Sequence, residues 1–257
     1  MPGDAGQGRV PPTDPPAGAV PRPGVTPEVD PGGLSAGTVP RPGVTPEVAE
    51  VLGRDSLQAA PALLGAVFSA TDPDGTVSVR LTEVEAYRGE ADPGSHAYRG
   101  RTARNASMFE AGGVIYVYFT YGMHHCLNVV TGPAGLSRAV LMRGGEVVAG
   151  VDLARRRRPA ARNDRDLARG PARLCAALGL DRSEDGTALG GPGSRVSLAL
   201  PTPDQAPEAA RIRTGPRTGV AGPGGDGKAY PWRFWLEGEP TVSPYKPAAP
   251  RRKRGRR

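Results

Sequence analysis

"TVSVRLTEVEAY", residues 76–87, begins as an ordinary half-buried strand and ends as something else. Val77, Val79 and Leu81 fall on one face and Ser78, Arg80 and Thr82 on the other, the period-two alternation of a β-strand with one covered side. Continued without a bulge, that parity puts Glu83, Glu85 and Tyr87 on the face of the valines. A carboxylate on an apolar face is costly unless it is hydrogen-bonded, paired or used chemically. Glu85 therefore has two readings, a satisfied ion pair with a nearby arginine or a reacting group; Glu83 reads as structural. A bulge turning one carboxylate outward would account for the same pattern.

Downstream, "GGVIYVYFTYGMHHCLNVVTG" (112–132) supplies two β-rich segments around a break at Gly122, and "SRAVLMRGGEVV" (137–148) supplies another strand. Upstream, "TPEVAEVLGRDSLQAAPALLGAVFSA" (45–70) has Thr45-Pro46 as a helix start and a core-facing stripe at Leu57, Ala60, Leu63 and Leu64. "VVAGVDLARRRR" (147–158) and "DLARGPARLCAALGL" (166–180) read as helical, the second interrupted at Gly170-Pro171. Strands in the middle followed by helices predict an α+β fold rather than alternating βαβ units. We expect a single domain with a curved, mostly antiparallel sheet flanked by helices.

With 37 Gly, 29 Pro and 38% hydrophobic residues in 257, much of the length must be turn, loop or disorder. The first 45 residues hold a plain repeat, "VPRPGVTPEVDPGG" from Val20 and "VPRPGVTPEVAEVL" from Val39, too rich in Pro, Gly and small polar residues to bury a core. The organisation expected is a disordered tail over 1–45, one domain over 46–246 and a basic disordered tail over 247–257.

The net charge of +7 is unevenly spread. Residues 1–50 set three arginines against six carboxylates, whereas the terminal "PRRKRGRR" carries six positive charges, so most of the excess is that tail. Smaller clusters lie at Arg99, Arg101 and Arg104 and at 155–158. Cys126 and Cys175 sit in apolar segments without CxxC spacing or a secretory signal ahead of them, which predicts reduced core residues in a cytoplasmic protein. No apolar run approaches the ~18 residues of a membrane span, so no membrane partner is expected.

His96, His124 and His125 are the three histidines, and with a glutamate they raise the question of a metal site. Adjacent histidines point to opposite sides of a strand and no HExxH motif appears, so no metal is expected. His96 could simply cap a loop. Tyr116, Tyr118 and Tyr121 crowd three of the seven tyrosines into six positions. A β core accounts for them; aromatic faces beside arginines also stack nucleic-acid bases.

The run "EVEAYRGEADPGSHAYRGRTARNASMFEAGGVIYVYFTYGMHHCLNVV" (83–130) closely resembles the alkyladenine (3-methyladenine) DNA glycosylase family, with its ExEAY, downstream His, RN..MF, YVYxxYGM and CxN elements in order. "AVLMRGGEV", "GPARLCAALGLD", "RTGV" and "PWRFWLEG" extend the resemblance over roughly 46–246.

The resemblance implies a monofunctional hydrolase of base excision repair. It would flip an alkylated or deaminated purine out of duplex DNA and cut the N-glycosidic bond, without a cofactor and as a monomer, in a bacterial-type cytoplasm at the nucleoid. By it, Glu85 is the general base that deprotonates a water, Arg143 helps hold that water, and the Val220 carbonyl stands beside it. Tyr87, His96 and Tyr118 line the slot for the flipped base, Asn128 rejects the guanine amine, and Tyr121 is the wedge left in the duplex. No lysine lies in the motif, which argues against a Schiff-base lyase. His125 stands where relatives often carry an aromatic residue, and "GPGGDGKAYPW" (222–232) is unusually Gly-rich. A catalytically inactive damaged-DNA or RNA binding module and a metal-dependent nuclease are the competing classes.

Overall fold

A computed structural model describes residues 43–120 and 122–248. The helices and strands in chain order are α1 (Pro46–Gly53), α2 (Ser56–Ala62), β1 (Val67–Asp72), β2 (Gly75–Tyr87), β3 (Ile115–Thr120), β4 (His124–Val130), β5 (Ala139–Ala149), α3 (Val151–Arg157), α4 (Pro171–Leu178), β6 (Val196–Ala199), β7 (Ile212–Gly215) and β8 (Arg233–Leu236). The expected tails, 1–45 and 247–257, fall almost wholly outside the described residues.

The predicted first helix is two helices. Thr45 caps α1 by accepting from the Val48 N–H, and Asp55 caps α2 by accepting from the Leu57 N–H. A second N-cap ends one helix and starts another. "VVA" at 147–149 finishes β5 rather than opening α3, and α4 starts only at Pro171, with Gly170 ahead of it at φ 114°. "AVFSA" belongs to β1, not to a helix.

The eight strands form one antiparallel sheet in the order β3-β4-β5-β2-β1-β6, with β8 pairing both β2 and β7. β2 is its spine. One edge of β2 runs along β5; the other is shared, β1 pairing its first half and β8 its second. Side chains from all four helices join Val77, Val79, Leu81, Val84 and Ala86 of β2 in one buried cluster. The α+β, single-domain expectation holds, with this core on the helix-covered face.

Those five residues also reveal the flaw in simple alternation. Odd positions face the core up to Leu81 and even positions from Val84 onward. The β2–β5 register shifts between Leu81 and Glu83 and again between Glu83 and Val84, so parity reverses there. Glu83 and Glu85 therefore face away from the valines, correcting the expectation that they share that face. A bulge re-aims side chains in this way. The opposing glycines of β5 permit it: a Cβ on Gly145 would stand 2.4 Å from the Arg80 carbonyl oxygen, and one on Gly144 3.0 Å from that of Thr241.

Candidate active site

On the sheet face opposite the core, strand register brings distant residues into line. Tyr116 lies opposite Asn128, Asn128 opposite Leu141, Leu141 opposite Glu85, and Glu85 opposite Arg233. Residues directly opposite in an antiparallel pair share a face. The line thus joins a carboxylate on β2 to an amide on β4 and a phenol on β3.

Glu85 is fully buried. Its Oε1 accepts from the Thr218 backbone N–H at 2.7 Å and lies 3.3 Å from Arg143 Nη1, and its Oε2 accepts from the Tyr87 hydroxyl at 2.8 Å. Both sequence readings of Glu85 thereby survive in part: it is ion-paired, and it stands among groups that could serve chemistry. Burial, then the Glu85 charge, push the Tyr87 phenol well above its ordinary pKa, which keeps it a proton donor to that carboxylate. For Arg143, burial opposes the charge, but Glu85 and then Glu83 outweigh it and raise its pKa further.

Glu83 is equally buried and far more tightly bound. Its Oε1 accepts from Arg143 Nε (2.8 Å), Arg233 Nε (2.7 Å) and the Ser243 hydroxyl (2.9 Å), and its Oε2 from the Ser243 N–H (2.7 Å). This is the structural role expected of it. Arg143 bridges the two carboxylates, with Nε on one and Nη1 near the other.

The aromatic side of the site is a packed group. The His96 ring meets Tyr118 edge-on at 4.4 Å between centroids and Tyr116 at 6.1 Å, while Tyr116 and Tyr118 stack at 5.5 Å and 27°. His96 Nδ1 is 3.1 Å from the Tyr116 hydroxyl. Desolvation against these rings, then the Arg104 charge, lowers the His96 pKa, so the imidazole is neutral at pH 7. Tyr116 is buried in a small separate cluster with Ala97, Met108, Val114, Val130 and Ala139, and also anchors His96. Burial lifts its phenol to about 12. Asn128 is 4% exposed and donates from Nδ2 to the Tyr116 carbonyl at 3.1 Å.

Cys126 is buried on this face opposite Tyr118, whereas Cys175 lies in the helix-covered core; both are free thiols. Val220 is half-buried two residues beyond Thr218. Tyr121 lies outside the described residues. At the end of the β3–β4 hairpin, Phe119 (40%) and Met123 (68%) are exposed. Arg99, Arg101 and Arg104 are exposed and make no ion pair among the described residues, Arg104 donating to the Phe119 carbonyl. The arginines of 155–158 differ: Arg155 pairs with Asp152 and Asp164, and Arg157 with Asp72.

Among the described residues no group of three or more His, Cys, Asp or Glu could hold a metal ion, and no helix is long and apolar enough to cross a membrane. Sequence reasoning missed Arg217, Asp92 and Thr218. The "RTGV" text was the one signal for Arg217 and Thr218, and a contact between positions 92 and 217 leaves no local pattern.

Residues 50–240 match the family model described as methylpurine-DNA glycosylase. The chain is 55% identical over 209 residues to a protein of Streptomyces avermitilis carrying the curated name "Putative 3-methyladenine DNA glycosylase", with 80% of this chain and 94% of that protein covered. It is similar to proteins of the same name from Leifsonia xyli (55% over 204 residues, 76% and 92% covered) and Nocardia farcinica (50% over 210, 78% and 93%).

Proposed function

The chain belongs to the methylpurine-DNA glycosylase family and is by class a DNA-3-methyladenine glycosylase acting on DNA; from that premise we propose that Glu85 activates the water that hydrolyses the N-glycosidic bond of a flipped, damaged purine. The observation that carries this reading is a fully buried carboxylate gripped by a backbone N–H, a phenol and a guanidinium on the polar face of the sheet.

The water oxygen bonds to the sugar C1′, its proton passes to Glu85, and the C1′–N bond breaks with its electron pair leaving on the purine. Positive charge develops on the sugar as that bond breaks, so the same carboxylate stabilises it electrostatically. Arg143 and the Val220 carbonyl hold the water. Arg143 cannot compete as a base, because its carboxylate neighbours keep it protonated.

Tyr87, His96 and Tyr118 form the walls of the base slot. Extruding a base costs a few kcal/mol, least at damaged pairs, and stacking against aromatic walls returns part of it. The neutral His96, hydrogen-bonded at Nδ1 to the Tyr116 hydroxyl, offers its other ring nitrogen to the flipped nucleotide. Asn128, held by the Tyr116 carbonyl, excludes the guanine amine by contact. Tyr121 wedges into the gap left in the duplex, and the exposed Arg99, Arg101 and Arg104, which make no ion pair among the described residues, meet phosphates. The catalytic domain spans 46–246 and works as a monomer in the cytoplasm against the nucleoid, and the basic tail over 247–257 adds nonspecific affinity.

The test is a duplex carrying one hypoxanthine or 3-methyladenine, incubated with the full chain with and without EDTA and then with alkali. Strand breaks that appear only after alkali and survive EDTA support the hydrolase, and Glu85→Gln should abolish them while duplex binding persists. Breaks before alkali that EDTA prevents would instead mark a metal-dependent nuclease. Binding without any released base would mark an inactive module. Asn128→Gly should raise guanine excision relative to hypoxanthine, and an unchanged ratio would take Asn128 out of selectivity.

A further inference from the structure

By volume, Arg217 heads the fully buried side chains of the described residues, at 1% exposure. Its guanidinium grips Asp92 in a two-pronged ion pair, Nη1 to Oδ2 at 2.6 Å and Nη2 to Oδ1 at 2.7 Å. Nη1 also donates to the Ala86 carbonyl at 3.0 Å and Nη2 to the Gly224 carbonyl at 2.9 Å. The charged plane lies 4.5 Å from the Tyr87 ring centroid and 5.2 Å from that of Trp232.

A buried ion pair is a weak device for stability, since apolar residues of similar size often do as well. What distinguishes this one is what it touches. Ala86 sits between Glu85 and Tyr87 on β2; Thr218, next in the chain to Arg217, donates its N–H to Glu85; Val220 follows two positions later. The backbones around it are pressed together. A Cβ on Gly94 would stand 2.5 Å from Arg217 Nη2 and 2.8 Å from Val220 Cγ1, one on Gly224 2.2 Å from Gly94 N, and one on Gly225 2.2 Å from the Val220 oxygen. The Gly-rich segment after Val220 is thus the packing surface of this clamp.

We propose that Arg217, locked by Asp92, is a positioning residue for excision: it holds the Thr218 N–H and the Val220 carbonyl in register with Glu85 and fixes the plane of Tyr87. Arginine suits the task because a planar fork can bind a carboxylate with two bonds while stacking on a ring, which a lysine ammonium cannot do. The proposal rests on Glu85 being the base.

The test is single-turnover excision of hypoxanthine from a duplex by the full chain, as a function of enzyme concentration. Arg217→Lys keeps the charge but loses the fork and the stack. The expected result is a saturating rate constant lowered about 100-fold, the penalty of a misplaced reacting group, with the half-saturating enzyme concentration unchanged. A purely structural role would instead remove folded protein, raising the half-saturating concentration and leaving the saturating rate at the wild-type value; that result overturns the proposal. Should Arg217→Lys fail to fold, Asp92→Asn, which keeps the shape of the partner, decides on the same readout, with about a ten-fold fall expected and a wild-type saturating rate overturning the proposal. A Glu85→Gln variant as fast as wild type removes the base assignment and this inference with it. An inactive Glu85→Gln beside a wild-type rate for Arg217→Lys overturns the positioning role alone.

Discussion

Glu83 and Glu85 stand two residues apart on one strand face, both without exposed surface, yet their neighbourhoods differ in kind. Around Glu83 two guanidinium groups and both donors of Ser243 close on the carboxylate. Around Glu85 the donors are a single backbone N–H and a phenol, with one guanidinium nitrogen at 3.3 Å. The first arrangement neutralises a charge and ties the end of the domain to its central strand. The second leaves a charge held but less fully matched. Burial alone does not identify a reacting carboxylate; the number and type of its partners does.

The sharpest way to break this contrast is by rate. Glu85→Gln should lower the saturating excision rate by about 10² to 10⁴, the range for loss of a general base, with little change in the urea midpoint. A large fall in midpoint instead would make Glu85 a second structural carboxylate. Glu83→Gln should do the opposite, costing about 3–5 kcal/mol of folding free energy by stranding two buried arginines. Equilibrium urea unfolding checks it, and a variant as stable as wild type but inactive would move Glu83 into the chemistry.

Much of this architecture is legible in the sequence, and the rest is not for identifiable reasons. β2, the β3–β4 hairpin and β5 declare themselves through alternation and a glycine break, because local sterics govern them. The reversal of parity between Leu81 and Val84 depends on Gly144 and Gly145 across the sheet, and no pattern within β2 encodes it. The split between α1 and α2 was legible in Asp55, an N-cap residue in the middle of an apparent helix. Glu85 stood out because a carboxylate broke an apolar rule. Arg217 did not, since its partner lies 125 positions away and no local pattern links the two.

Two smaller effects sharpen the comparison. Ser243→Ala removes one neutral donor from Glu83 while its backbone N–H remains, and should cost about 1–3 kcal/mol with an unchanged excision rate; a rate effect would couple the two carboxylates through Arg143, to which the Ser243 hydroxyl also bonds. The smallest belongs to His96. Its folded pKa is depressed, so as pH falls the unfolded chain takes up this proton first, and stability present above the ordinary histidine range is lost below about 6.5. Wild type should therefore lose more stability than His96→Gln between pH 7.5 and 5.5 in urea titrations, and parallel losses would rule out this contribution.

The pairing of β2 with β8 has a consequence for how the molecule is born. Glu85 waits for a donor 133 positions later in the chain, and Glu83 for donors 150 and 160 positions later. Contacts so far apart in sequence form late and slowly. A ribosome that has translated all four helices still holds an incomplete enzyme, whose central strand carries two carboxylates short of partners. Such a half-made sheet has the second half of one flank of its spine open, the kind of edge on which nascent chains associate, and catalytic competence arrives with the last strand rather than growing with length.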